Sequence, residues 1–186
     1  MNLWLTSILY ISIILLSLIS FISCGDCGPC PLGSQVVVTS PDNTGPDFVT
    51  VFATFADETQ SETSVTQSSQ SVEVSVLGDD VITFVASGGD PQGARTVRFW
   101  VEETFWRTTG GITEQVGPGL LAEPAAQQEI TASPGDNVCT PLRVTHEIRI
   151  ADRRGNFDRI RIRVWSEAIN FSGTNAISRS LTLNWP

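Results

Sequence analysis

Thr96-Val-Arg-Phe-Trp-Val-Glu-Glu-Thr-Phe105 and Arg159-Ile-Arg-Ile-Arg-Val-Trp-Ser-Glu-Ala168 decide how this chain folds. In the first, Val97, Phe99 and Val101 alternate with Arg98, Trp100 and Glu102. In the second, Ile160, Ile162 and Val164 alternate with Arg161, Arg163, Trp165 and Glu167. Side chains point to opposite faces of a strand with a period of two, so one set of each stretch faces a core and the other faces outward.

The same pattern recurs along the chain and is broken by Gly, Pro, Asn and Asp, the residues that turns require. It predicts strands at Gln35–Thr39, Phe48–Phe55, Val72–Leu77, Val81–Ala86, Thr96–Phe105, Val144–Ile150, Arg159–Ala168 and Ile177–Asn184, with weaker candidates at Ile112–Val116 and Gln128–Ala132. No helical period follows residue 30. The expected class is all-β, with many short strands forming an antiparallel sandwich. Asp57–Ser71 is rich in Ser, Thr, Gln and acid, has little to bury, and reads as a mobile loop or linker. Gly110–Pro124 and Ser133–Pro141 read as surface loops.

The formal net charge is −9, and its distribution is lopsided. No basic side chain precedes Arg95, and the chain has no Lys, so the first half is purely acidic. That balance argues against nucleic acid and anionic headgroups as partners.

The start of the chain is an uncharged apolar run, Leu3 to Ile22, followed by Ser23-Cys24-Gly25. A run of this kind reads as an export signal, and about 20 apolar residues also suffice to span a bilayer. Phe21-Ile-Ser-Cys24 resembles the lipobox of bacterial lipoproteins. The resemblance implies cleavage before Cys24 and a diacylglycerol on its thiol, making the protein a membrane-anchored component of the cell envelope. Two other fates stay open. Ser23-Cys-Gly25 also resembles a small-x-small cleavage site, which would release a secreted protein, and the run could remain as an uncleaved anchor. The expected organisation is a signal peptide over 1–23, a Cys/Gly/Pro tether over 24–34, and a sandwich over 35–186.

Lipidation of Cys24 leaves Cys27, Cys30 and Cys139. In an oxidising compartment one pair of these would form a disulfide, leaving one thiol over. Cys27-Gly-Pro-Cys30 resembles the core motif of thioredoxins, which implies thiol–disulfide redox chemistry as an alternative function. The motif lacks the preceding strand and following helix that such chemistry uses to lower a thiol pKa. The Cys-x₂-Cys-x₂-Cys spacing has no fourth ligand nearby, so neither a metal nor another cofactor is expected.

Val81-Ile-Thr-Phe-Val-Ala-Ser-Gly-Gly-Asp-Pro-Gln-Gly-Ala-Arg-Thr-Val-Arg-Phe-Trp100 resembles the B-turn-C region of bacterial immunoglobulin-like domains. His146-Glu-Ile-Arg-Ile-Ala-Asp-Arg-Arg-Gly-Asn156 resembles their E strand and E–F corner. Ser166-Glu-Ala-Ile-Asn-Phe-Ser-Gly173 with Leu181-Thr-Leu183 resembles their F–G hairpin. The likeness spans roughly Val72 to Trp185 and implies an immunoglobulin-like sandwich acting as a spacer, scaffold or adhesive module, without enzymatic activity. It also implies that strands C and F are neighbours. Arg98, Trp100, Arg161, Arg163 and Trp165 would then share one outer surface, either a cross-strand ladder or a binding face for protein or carbohydrate.

His146, the only histidine, shares the inward parity of Val144, Ile148 and Ile150 and reads as a core residue. Asp152, Asn156 and Asp158, with Asp79, Asp80 and Asp90, are ordinary turn formers that also supply oxygens of the kind calcium takes. Asn170-Phe-Ser172 has the form of a glycosylation acceptor.

Overall fold

The computed structural model describes residues 30, 33–39, 44–56, 62–76, 81–155 and 157–185. The signal segment, Cys24, Cys27, Asp79, Asp80 and Asn156 lie outside them.

The described chain is a run of strands: β1 (Ser34–Val37), β2 (Phe48–Phe55), β3 (Thr63–Thr66), β4 (Val72–Ser75), β5 (Val81–Gly89), β6 (Ala94–Thr109), β7 (Ile112–Leu120), β8 (Ala126–Glu129), β9 (Asn137–Thr140), β10 (Leu142–Arg149), β11 (Arg159–Asn170), β12 (Asn175–Ile177) and β13 (Leu181–Trp185). A single turn of helix, α1 (Ile150–Arg154), joins β10 to β11. Among the described residues no helix is long and apolar enough to cross a membrane.

The strands form two sheets around one core. One has the order β10-β5-β2-β3, and the other has the order β4-β13-β11-β6-β7, with β12 added to β11 and β8 to β6. Neighbours are antiparallel except β4 and β13, which run parallel. The alternation decides which face each strand buries. Val49, Val51, Ala53 and Phe55 of β2, with Ile82, Phe84 and Ala86 of β5, meet Val97, Phe99 and Val101 of β6 and Ile160, Ile162 and Val164 of β11. Leu181 and Leu183 of β13 complete that inner layer. The sheets pack tightly at Gly88. A Cβ there would collide with the Ala168 Cβ and stand 3.0 Å from Val97 Cγ2, so only glycine fits.

A third, two-stranded ribbon of β1 and β9 caps one end of the sandwich. It lies over Gly93, where an added Cβ would stand 3.1 Å from Val138 Cγ2. The opposite end carries α1 and the β6–β7 hairpin. That hairpin turns at Gly110 and Gly111, with φ of 61° and 80°, values that the tight two-residue hairpin turn demands and side chains resist.

Several elements depart from the expected pattern. The reading of 57–71 as one loop is corrected, because its latter part holds β3. The Ser133–Pro141 loop holds β9, and the strand expected at Ile112–Val116 runs on to Leu120 as β7, leaving little of Gly110–Pro124 as loop. Each of the first two strands has one buried apolar anchor, Val65 or Val138, too little to register as a period. The strand expected to run to Ile150 stops at Arg149, where α1 begins.

Candidate functional site

The expected outer surface forms where β6 and β11 pair. Their register sets Trp165 opposite Trp100, Glu167 opposite Arg98, Arg163 opposite Glu102 and Arg161 opposite Thr104. The five residues singled out in the sequence therefore lie on one sheet face. The indoles of Trp100 and Trp165 stack at 6.3 Å between centroids, only 11° from parallel, and the Arg163 guanidinium lies 5.4 Å from the Trp165 ring. Glu167 gathers the upper part of the row. It accepts from Arg98 Nη1 at 3.3 Å, from Trp100 Nε1 at 3.3 Å, and from Asn175 Nδ2 at 2.9 Å. Arg98 Nε donates to Gln127 Oε1 at 3.0 Å.

Below the tryptophans the face is a mixed-charge groove of about 400 Å³, bounded by Glu73, Glu102, Arg161, Arg163 and Thr182. Arg163 pairs with Glu102 at 3.3 Å and Arg161 with Glu73 at 3.5 Å. Exposed pairs of this kind contribute at most about 1 kcal/mol each, but they neutralise the groove and leave no concentrated positive field for an anion. Glu73 was not legible as a member of the face, since it arrives on β4 through the parallel pairing with β13. Arg159 over Trp106, at 4.8 Å, extends the same ladder by one rung.

This geometry turns most of the row inward on itself. Each indole gives one face to the other, and the Trp100 N–H has a carboxylate partner. Both rings are partly buried, so replacing them removes packing as well as surface. Trp100→Ser with Trp165→Ser is expected to cost about 1–3 kcal/mol in urea denaturation, above the ~0.5 kcal/mol usual for exposed positions. A cost below that lower figure would contradict the stacked ladder.

The cysteines resolve differently. Cys30 is bonded to Cys139, with 5.4 Å between their Cα atoms. Dithiol chemistry at Cys27 and Cys30 would first require Cys30 to leave Cys139. Among the described residues no three His, Cys, Asp or Glu side chains group closely enough to hold a metal ion. Two of the turn Asp side chains bond the backbone. Asp90 accepts from the Gln92 N–H at 2.7 Å, and Asp158 from the Thr108 N–H.

Asn170 is 3% exposed. Its Nδ2 donates to Thr44 O at 2.8 Å and Asp90 Oδ2 at 3.3 Å, and its Oδ1 accepts from the Ser172 and Thr174 N–H groups. The amide nitrogen of the acceptor motif is therefore engaged in the fold rather than presented to a transferase.

His146 packs against Phe99, 5.3 Å between ring centroids. Desolvation lowers its pKa, and the nearby Arg153 lowers it further, against opposing effects of Glu103 and Glu147. Arg153 itself donates to Glu103 at 3.1 Å. A histidine whose pKa falls on folding binds its proton more readily when unfolded, so its contribution is full above the unfolded value near 6.5 and declines as pH falls below it. His146→Gln is expected to flatten the acid side of a stability–pH curve between pH 6.5 and the lowered folded value. An unchanged slope there would contradict this burial.

A scan against family models finds no match to the chain, and a search of the curated proteins finds none either.

Proposed function

We propose that the protein is an exported, lipid-anchored component of the cell envelope whose immunoglobulin-like sandwich serves as a non-enzymatic binding or structural module. The carrying observation is the Cys30–Cys139 disulfide. Such links persist in oxidising compartments, and this one begins seven residues after Ser23, the expected end of the export signal. The strand distribution supports the immunoglobulin-like reading. β5 and β10 share one sheet while β6, β11 and β13 share the other, matching B and E against C, F and G of that architecture. The single histidine packed against Phe99, and the paired charges of the outer face, favour a scaffold over a catalyst. The part of that face open to a protein or carbohydrate partner is the groove beside Arg161 and Arg163.

Cys24→Ala tests the anchor. The variant should lose lipid labelling, because the acceptor thiol is gone, and accumulate as unprocessed precursor, because the lipobox resemblance implies a peptidase that cleaves only before the modified cysteine. Cys27→Ala should leave labelling intact. Equal mature mass and aqueous partitioning for wild type and Cys24→Ala would replace this reading with a secreted protein.

A further inference from the structure

Strand directions and the disulfide together give the anchored protein an orientation. β1 and β9 form the capping ribbon, and Cys139 sits on β9 beside the start of β10, where Leu142 pairs with Gly88. Phe48 pairs with Gly89 at the same end. The β6–β7 hairpin leaves from the other end. β6 has 16 residues, so its two ends stand about 50 Å apart at roughly 3.3 Å per residue.

Only six residue steps separate Cys24 from Cys30. Fully extended they reach about 20 Å, at ~3.3–3.6 Å each. Without the disulfide, the first fixed point would be Ser34, ten steps away. The link thus shortens the tether and fastens it at the capped end. That end also carries exposed apolar side chains: Val37 on the ribbon is 48% exposed and Phe48 is 39% exposed. Isolated apolar side chains are common on surfaces, but these two stand where the tether is shortest.

We propose that the ribbon end, with Val37 and Phe48, rests against the bilayer that holds the protein's own acyl chains, and that the Gly110-Gly111 hairpin tip points away from it. This rests on the lipid-anchor reading above. The partner is the zwitterionic lipid surface, since this end carries both signs, Asp47 and Asp136 with Arg143 and the Glu129-paired Arg95, and so offers no basic cluster to anionic headgroups. The hairpin tip, with Ile112 exposed, would be the element held farthest from the membrane.

Full-length acylated protein in phosphatidylcholine vesicles provides the test. A donor dye is attached through an azide-bearing residue at position 47 or 114, which keeps all four cysteines, and acceptor dyes are carried on a fraction of the headgroups. Energy transfer should be several-fold greater from position 47 than from position 114. Val37→Ser with Phe48→Ser should bring the two values closer together. Equal transfer from both positions of an acylated protein, or greater transfer from 114, would overturn the orientation. An unchanged difference in the double variant would overturn the apolar contact. Absence of acyl chains on Cys24 by mass would overturn the anchor reading and the orientation with it.

Discussion

Phe99→Ala should lower the free energy of unfolding by about 3–5 kcal/mol, the range for truncating a buried phenylalanine. Phe99 is fully buried on β6 and sits between two other rings, Phe84 of β5 and His146 of β10, each 5.3 Å away between centroids. It therefore joins the two sheets. Removing it deletes the transfer free energy of the ring and leaves a cavity between sheets already in tight contact where Gly88 of β5 meets Ala168 of β11. Phe99→Leu should retain more than half of that stability. Chemical denaturation monitored by tryptophan fluorescence measures both. A loss below about 1 kcal/mol for the alanine variant would mean that the sheets do not meet through this residue.

Cys30→Ser with Cys139→Ser should cost about 2–5 kcal/mol, the range for removing a native disulfide from a small exported domain. The partners are 109 residues apart in sequence, so the link closes a long loop and restricts the unfolded chain strongly in the chain-entropy account. Dithiothreitol applied to the wild type should reproduce the loss and should have no further effect on the double variant. Amide exchange should quicken first in Ser34–Val37 and Asn137–Thr140, which among the described residues have only each other as strand partners. A double variant as stable as the wild type would contradict a structural role for this bond.

How far the sequence discloses these features depends on how many apolar residues an element owns. Thr96–Phe105 and Arg159–Ala168 each carry three or more alternating apolar positions, so their inner and outer faces were legible; the immunoglobulin-like resemblance placed the two outer rows on one surface, but the register that sets Trp165 opposite Trp100 was not. β3 and β9 were not, because Val65 and Val138 are solitary anchors whose strand form is dictated by a neighbour. The partners of the outer face were visible in part. Parity predicted that Arg98 and Glu167 point outward, but their convergence on Gln127 and Asn175 depends on β8 and β12, whose overlapping candidates at Gln128–Ala132 and Ile177–Asn184 left out both of those residues. The disulfide choice was equally hidden. Spacing allows Cys27 or Cys139 as the partner of Cys30, and only the pairing of β1 with β9 brings Cys139 within reach.

The most direct measurement of the central claim is the intact mass of the mature protein from membranes, with a non-reducing peptide map of the same sample. The account predicts a chain that begins at Cys24 bearing acyl chains, with the peptide of Cys30 linked to the peptide of Cys139. A mature chain beginning at Asp26 or retaining Met1, or a Cys27–Cys30 disulfide in place of Cys30–Cys139, would contradict it.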